Sequence, residues 1–211
     1  MIVYGPSVSP FVRKVLVFAA EKGVEVQNPR GVGPDPDPGF LAASPFRKIP
    51  AFQDGDFALS DSSAIVAYLD KVRPDPGLIP AEPKAHARTI WFDEFADTIL
   101  GVASIGVFFN RVLAKRLGRE PDLSVAERAE REQLPAAFAY LESVIPASGH
   151  LVQDRLTLAD LAVASFFVNL RHAGVTPDKA AYPKTAAYVS AMLERPTFAR
   201  LIAEDEAFLA A

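Results

Sequence analysis

A proline-rich segment near residue 75 divides this chain into two parts of different character. The stretch RPDPGLIPAEPK, residues 73–84, holds four prolines in twelve residues, which disfavours helix and sheet and favours a linker. Before it, short strand-like runs alternate with helical ones, and after it only helical patterns follow. We therefore expect an α/β domain over residues 1–75, a linker over 76–86 and an all-α helical bundle domain over 87–211.

The first domain opens with the pattern of a β-α-β unit. MIVYG predicts a strand, residues 11–22 a helix, and VEVQN, residues 24–28, a second strand. A proline-rich loop over 29–39 has no regular structure in this prediction. IPAFQDGDFAL then predicts a hairpin that turns at Asp54–Gly55, and SSAIVAYLDKV predicts the closing helix.

The second domain has only helical patterns. Residues 85–118 form one long apolar helix in this prediction, with Gly101 and Gly106 as bend points, and Pro135 predicts a kink or break further on. The segment TLADLAVASFFVNLRHAG is nearly all apolar, as expected of a helix buried in a bundle. Further helices are predicted over 124–145, 182–194 and 196–209.

Composition excludes several kinds of chemistry. The chain has no cysteine, which rules out disulfides, thiolate metal sites and any mechanism that uses a thiol of the protein. Its three histidines lie far apart, so we expect no metal site. A net charge of −4 and a pI near 5.4 give no electrostatic case for nucleic acid or anionic lipid. The longest apolar run, ILGVASIGVFF, is short for a bilayer and no signal peptide begins the chain, so we expect a cytoplasmic protein without a membrane partner.

Three short segments carry residues suited to binding a charged ligand. Ser9 precedes a helix, where a hydroxyl either caps the backbone or donates to an anion held at the helix N-terminus. Pro50 either begins an edge strand or is cis, turning the backbone of Ile49 toward a ligand. Asp61 and Ser62 begin another helix, where they serve as a cap or offer a carboxylate and a hydroxyl to an amino-acid head group.

The order of these segments resembles a cytosolic glutathione S-transferase of the serine type. The shared features are SPFVRKV, KIPAF, LSDSSAI, a proline-rich linker and RLTLADLAVA, and they span nearly the whole chain. The resemblance implies an N-terminal thioredoxin-like domain, a C-terminal helical domain and a homodimer. It also implies glutathione and a small electrophilic molecule as the substrates.

The resemblance carries roles for individual residues. Ser9 matches the catalytic serine, and the cis-proline segment Ile49–Pro50 matches the backbone that pairs with the cysteinyl part of glutathione. Asp61 and Ser62 match the pair that holds the γ-glutamyl end. The further glutathione-binding residues implied are Phe11 and Lys48.

A serine at this position suits conjugation better than thiol exchange. A free thiol with a pKa of about 8.5 is only a few per cent ionised at pH 7. Lowering that pKa by two units takes about 2.7 kcal/mol, and a hydrogen bond to a charged group contributes about 1.5–3 kcal/mol. A cysteine there would instead form mixed disulfides with glutathione. Ser7 and Tyr4 are alternative hydroxyl donors.

The electrophile site is expected between the domains, beside the long helix. Phe108 and Arg111 are the candidate lining residues, and Trp91 and Phe95 fit either this site or ordinary core packing. Two other functions stay open: glutathione-dependent reduction of organic hydroperoxides, and a non-catalytic binding module with the same fold. Thr157 and Asp160 have the spacing of a capping box, which predicts a structural role.

Overall fold

Three short strands pair into one antiparallel sheet in the N-terminal part of the chain. The computed structural model describes residues 1–210. The sheet has the order β1-β2-β3, with β1 at Ile2–Tyr4, β2 at Ala51–Asp54 and β3 at Phe57–Ser60. The last two strands form the predicted hairpin. Gly55 in its turn has φ +60°, a left-handed conformation that glycine adopts without steric cost.

Helices account for most of the remaining described chain. The α-helices are α1 (Pro10–Glu21), α2 (Pro38–Ala43), α3 (Ser62–Val72), α4 (Pro83–Phe95), α5 (Gly101–Phe108), α6 (Ala114–Arg116), α7 (Leu123–Arg128), α8 (Leu134–Val144), α9 (Leu158–His172), α10 (Pro183–Leu193) and α11 (Pro196–Ala210). Single π-helical turns join α4 to α5, α5 to α6 and α7 to α8, at Ala96–Leu100, Phe109–Leu113 and Ala129–Gln133 respectively.

The chain divides into two compact units whose boundaries differ from those expected. One unit comprises Met1–Ala81 together with α11, and the other comprises Glu82–Arg195. Helix α4 begins inside the expected linker, because Pro83 at a first helical position loses no hydrogen bond and Glu82 caps the helix. Helix α11 was expected in the helical domain, yet it packs on α1. The last residue of that expected domain, 211, lies outside the described residues.

The predicted second strand, VEVQN, is reduced to a single parallel bridge between Gln27 and Ile2. Two backbone hydrogen bonds hold it, from the Val3 N–H to the Gln27 carbonyl at 2.8 Å and from the Gln27 N–H to the Met1 carbonyl at 3.1 Å. The next residue, Asn28, contacts the carbonyls of Val3 and Gly5 with its side chain. Pro29, which follows, has no N–H to continue a ladder. The β-α-β path is present, but the strand is too short to join the sheet as an element.

Helix α2 begins within the loop that was predicted to be irregular. Asp37 accepts the N–H groups of Gly39 and Phe40, and Pro38 occupies the first helical position. An aspartate cap followed by proline is a local helix-start signal. The loop predicted from proline content over 29–39 is therefore two residues too long, since residues 38 and 39 belong to α2.

The helical unit is built around α9, whose residues 158–170 are all buried. Gly101 lies against it, since a Cβ there would stand 2.8 Å from the Phe166 ring and 2.7 Å from the Ala96 carbonyl oxygen. The predicted irregularities are π-helical turns rather than breaks: one ends just before Gly101, and another ends at Gln133, two residues before Pro135. The helical path stays continuous through both.

The longest helical stretch runs from Pro83 to Arg116, 34 residues with a mean hydropathy of 1.4 over an 18-residue window. By length and composition it is able to cross a membrane, and 39% of that window is buried in this structure. The stretch is therefore longer than the apolar run considered from the sequence. This is weak evidence for a membrane span, because core helices pass the same test.

Candidate functional site

The three segments chosen from the sequence leave the sheet at the same edge. Tyr4 at the end of β1 pairs with Ala51 at the start of β2, and Ala51 pairs with Ser60 at the end of β3. Because neighbouring strands are antiparallel, the chain after Tyr4, before Ala51 and after Ser60 meets at one edge. These connections carry Ser9, the Ile49–Pro50 peptide and Asp61–Ser62.

Close backbone contacts join the three connections. The Asp61 N–H donates to the Pro50 carbonyl oxygen at 3.5 Å. A Cβ on Gly5 would lie 2.8 Å from the Val12 side chain and 3.1 Å from the Ile49 Cβ, and Gly5 has φ +120°. Glycine is therefore required at residue 5 for the β1–α1 connection to approach Ile49.

The Ile49–Pro50 peptide bond is cis, which decides one of the alternatives left open by the sequence. Ile49 is half-buried, and Pro50, directly before β2, is buried. Within residues 1–210, the Ile49 backbone forms no hydrogen bond, so its N–H and carbonyl remain available to a ligand.

Asp61 caps α3 from an unusual backbone conformation. Its carboxylate accepts the Ala64 N–H at 2.9 Å, so the structural role considered from the sequence is realised. Its φ of +106° is rare for a residue with a side chain and costs about 1–3 kcal/mol. Asp61 is nevertheless exposed at this edge, and Ser62 after it is buried at the first position of α3.

Ser9 occupies the N-cap position of α1 but does not cap the helix with its side chain. Its backbone carbonyl accepts the Arg13 N–H at 2.9 Å, which is the first bond of the helix. Pro10 fills the next position. The half-buried hydroxyl of Ser9 therefore lies at the positive end of α1 without a bond to it.

The two alternative hydroxyls are occupied. Ser7 donates to the Asp205 carboxylate. Tyr4 is buried and donates to Gln53 Oε1 at 3.2 Å. Burial, with Asp37 nearby, raises the pKa of the Tyr4 hydroxyl. Since each hydroxyl has a single proton, either residue would have to give up a bond to donate to a ligand.

The other predicted glutathione-binding residues lie on the same unit. Lys48 is exposed, and the buried Ser44 hydroxyl holds its backbone by accepting the Lys48 N–H at 2.8 Å and donating to the Lys48 carbonyl at 2.7 Å. Phe11 is half-buried in the first turn of α1. The structure thus gives Lys48 a defined backbone position beside Ile49.

The candidate electrophile residues of the helical unit have different surroundings. Phe108 is only 2% exposed and its ring centroid lies 6.3 Å from that of His172, so it is a core residue rather than a surface one. Arg111 pairs with Glu130. Phe95 is buried, whereas Trp91 is 44% exposed and donates from Nε1 to the Tyr140 hydroxyl at 2.8 Å. The prediction for Phe108 is corrected, because an apolar ring in a bundle is most stable inside.

Comparison with known proteins identifies the family. The model of the glutathione S-transferase N-terminal domain matches residues 8–72, and that of the C-terminal domain matches residues 111–205. The chain belongs to the glutathione S-transferase family. A glutathione S-transferase from Hyoscyamus muticus is 30% identical over 210 residues, covering 96% of this chain and 97% of the relative.

Solved glutathione S-transferases share the architecture. One from Rhodospirillum rubrum has a TM-score of 0.83 at 25% identity, covering 95% of this chain and 90% of its own. Glutathione S-transferase I from mais, in complex with an atrazine glutathione conjugate, also has a TM-score of 0.83 at 25% identity, with 96% of each chain covered. The predicted glutathione S-transferase family, the thioredoxin-like plus helical fold and the glutathione transferase activity are confirmed, while the serine type stays a prediction.

Sequence reasoning missed a buried ionic cluster in this glutathione S-transferase. Arg13 and Asp205 are fully buried and form an ion pair at 2.7 Å between Nη2 and Oδ2. Burial lowers the pKa of the Arg13 guanidinium, and Asp205 opposes that shift. A signal existed in α11, where Asp205 shares one helical face with Phe198, Leu201 and Ile202. In residues 1–210, no group of three histidine, aspartate or glutamate side chains is placed to hold a metal.

Proposed function

We propose that this glutathione S-transferase binds glutathione at the sheet edge described above and conjugates its thiolate to small apolar electrophiles. One observation supports Ser9 as the residue that donates a hydrogen bond to the glutathione thiolate. The Ser9 hydroxyl is free of the helix that it precedes, while the hydroxyl protons of Ser7 and Tyr4 are given to Asp205 and Gln53. Ser9 is thus the donor that needs no existing bond to be broken.

The energetics fit a single hydroxyl at a helix end. Lowering a thiol pKa from about 8.5 to about 6.5 takes about 2.7 kcal/mol. A hydrogen bond to an anion supplies about 1.5–3 kcal/mol, and the positive end of α1 adds about 0.3–1 kcal/mol. Ser9 and α1 therefore account for the shift without a general base.

The rest of the sheet edge complements the peptide part of glutathione. The exposed Asp61 carboxylate suits the γ-glutamyl ammonium, and the N-terminus of α3 at Ser62 suits the neighbouring carboxylate. The unpaired Ile49 backbone suits the cysteinyl amide. Lys48 supplies a positive charge for the glycine carboxylate.

An apolar electrophile is the substrate class we favour. The solved transferase from mais, related at 25% identity, is in complex with an atrazine glutathione conjugate. Its ligand therefore joins glutathione to a small ring compound. Among the predicted pocket residues, Arg111 and the exposed Trp91 remain candidates to contact such a molecule.

We also propose that the protein is a cytosolic homodimer. Phe46 is 83% exposed in the connection between α2 and β2, so its ring has little contact with the rest of its own chain. Burial against a second copy would remove this ring from water. Its removal would be worth about 2 kcal/mol per ring at full burial.

Ultraviolet titration of the thiolate of protein-bound glutathione tests the proposed chemistry. We expect a bound thiol that ionises well below its free pKa, and a rise of about 1–2 pKa units in Ser9→Ala, the equivalent of one hydrogen bond to an anion. Ser9→Thr keeps the hydroxyl and is the matched control, expected near wild type. Turnover of an aromatic chloride should follow the thiolate fraction.

Three results would contradict this proposal. Saturable glutathione binding without any shift in the thiol pKa indicates a binding module rather than a transferase mechanism of this kind. A wild-type pKa in Ser9→Ala shows that another group donates to the sulfur. Turnover of cumene hydroperoxide without turnover of electrophiles would instead support glutathione-dependent peroxide reduction.

A further inference from the structure

The carboxylate of Asp205 is bonded to residues on both sides of Ser9. One oxygen, Oδ1, accepts the Ser7 hydroxyl, two residues before Ser9. The other, Oδ2, lies 2.7 Å from Nη2 of Arg13, four residues after Ser9. The Arg13 backbone N–H in turn donates to the Ser9 carbonyl at 2.9 Å. A single side chain of α11 thus holds both ends of the turn that carries Ser9.

Helix α11 is itself fixed along its length to the unit that contains Ser9. The Thr197 hydroxyl donates to Glu21 Oε1 at 2.7 Å near the first turn of α11. Phe198, Leu201 and Ile202 are buried on the same face as Asp205. At the far end, the Arg30 guanidinium carbon lies 4.3 Å from the centre of the Phe208 ring. Asp205 is therefore a rigid support rather than a mobile side chain.

Burial restricts the Asp205 carboxylate to its present partners. The Arg13 and Asp205 side chains are both 0% exposed, so the loss of either bond to the carboxylate leaves a buried charged group short of a partner. A buried charge pair with bonds on both carboxylate oxygens has one favourable geometry. The direction of the Ser7–Ser9 turn is consequently coupled to the position of α11.

We propose that Asp205 is a positioning residue for the transferase reaction, acting through Ser7 and Arg13 to hold the Ser9 hydroxyl in line with the glutathione sulfur. This rests on the proposed role of Ser9. The bond to Ser7 also keeps the Ser7 hydroxyl from competing for the sulfur, because its proton is donated to Asp205. The C-terminal helix then has a part in the active site without touching the substrate.

The test compares Ser7→Ala with Thr197→Val, two variants that each remove one hydroxyl bond to or from α11. Hydrogen–deuterium exchange of residues 5–13 and the pKa of bound glutathione are measured in both. We expect Ser7→Ala to increase exchange over 5–13 and to raise the thiol pKa by about 0.5 unit. That rise means about a threefold loss of kcat/KM at pH 6 that disappears at pH 9, where thiolate forms unaided. Thr197→Val is expected to lower Tm without moving the pKa, because the buried Phe198, Leu201 and Ile202 still hold α11 in place.

Ser7→Thr provides the rescue. It keeps the hydroxyl, and the cavity of about 120 Å³ beside Ser7, lined in part by Asn28 and Phe208, has room for the added methyl group. We expect wild-type exchange and a wild-type pKa. Asp205→Asn is a second variant, which removes the negative charge that faces the buried Arg13 guanidinium. If Asp205→Asn does not fold, the comparison of Ser7→Ala with Ser7→Thr decides.

The outcomes separate this proposal from the one on which it rests. If Ser9→Ala raises the thiol pKa but Ser7→Ala changes neither exchange nor pKa, the positioning role is wrong while the transferase mechanism stands. An equal pKa shift in Thr197→Val shows a general loss of stability and also overturns it. A wild-type protein that leaves the thiol at its ordinary pKa overturns both proposals.

Discussion

The Asp160 carboxylate accepts the backbone N–H of Thr157 at 2.9 Å, three residues earlier in the chain. The same side chain accepts the Thr157 hydroxyl and the N–H of Leu151, and all these groups are buried. This confirms the capping box predicted from the sequence and adds a bond from Leu151. Burial raises the pKa of Asp160. The N-terminus of α9, the central helix of its unit, depends on this carboxylate.

Asp160→Ala is expected to lower the free energy of unfolding by about 2 kcal/mol or more, because each buried donor left without a partner costs about 1–3 kcal/mol. Urea unfolding measures the loss, and calorimetric titration with glutathione should give a nearly unchanged Kd. A comparable loss of affinity in the folded variant would contradict the purely structural role.

Glu82 links stability to acid pH at the start of α4. Its carboxylate accepts the N–H groups of Lys84 and Ala85, and these bonds hold its pKa below the ordinary value. The ionised form is thus favoured in the folded state, so its stabilisation is complete above pH ~4.3 and is lost as the pH falls through the lower folded pKa. We expect Glu82→Gln to have a lower Tm than wild type at pH 7, and this difference to shrink as the pH falls from 5 to 3. A constant difference between these pH values would argue against the cap.

Asp61 combines backbone strain with a proposed binding role. Asp61→Gly and Asp61→Ala both remove the carboxylate, and both are expected to weaken glutathione binding about tenfold, the effect of one hydrogen bond to a charged group. Their stabilities should differ, since glycine relieves the positive φ and alanine keeps it. We expect Asp61→Gly to be more stable than Asp61→Ala by about 1 kcal/mol. Equal unfolding free energies would show that φ +106° carries no strain.

Lys22 and Lys71 approach the same carboxylate from different environments. Lys22 is buried, lies 2.8 Å from Asp70 and donates to the carbonyls of Arg73, Pro74 and Pro76. Lys71 is 86% exposed and 3.8 Å away. Lys22→Met should cost about 3 kcal/mol because it leaves Asp70 without its buried partner, while Lys71→Met should cost less than about 1 kcal/mol. Thermal unfolding of the two variants measures this, and equal losses would be unexpected.

Phe46 gives a direct test of self-association. Phe46→Ser is expected to raise the dimer dissociation constant at least tenfold in sedimentation experiments, because a buried phenylalanine contributes about 2 kcal/mol or more. Phe57→Ser is the control, since Phe57 is exposed but stacks on Tyr68 in its own chain. A wild-type protein that remains monomeric at high concentration would exclude the proposed dimer.

Local patterns in the sequence determined much of this protein. The hairpin at Asp54–Gly55, the capping box at Thr157 and the buried run of α9 depend on turn chemistry, near-neighbour bonds and periodicity. The order of the short motifs also identified the family. The hairpin turn and the capping box are local because each is stabilised by residues only a few positions apart.

Tertiary structure decided which of the predicted residues are free to act. The sequence favours Ser9 but leaves Ser7 as an alternative, and only the approach of Asp205, 198 residues from Ser7, occupies the Ser7 hydroxyl and leaves that of Ser9. The placement of α11 beside α1, the reduction of VEVQN to one bridge and the burial of Phe108 arise in the same way. Each depends on partners distant in the chain, and hydrogen bonding and burial are set by the nearest neighbours in space.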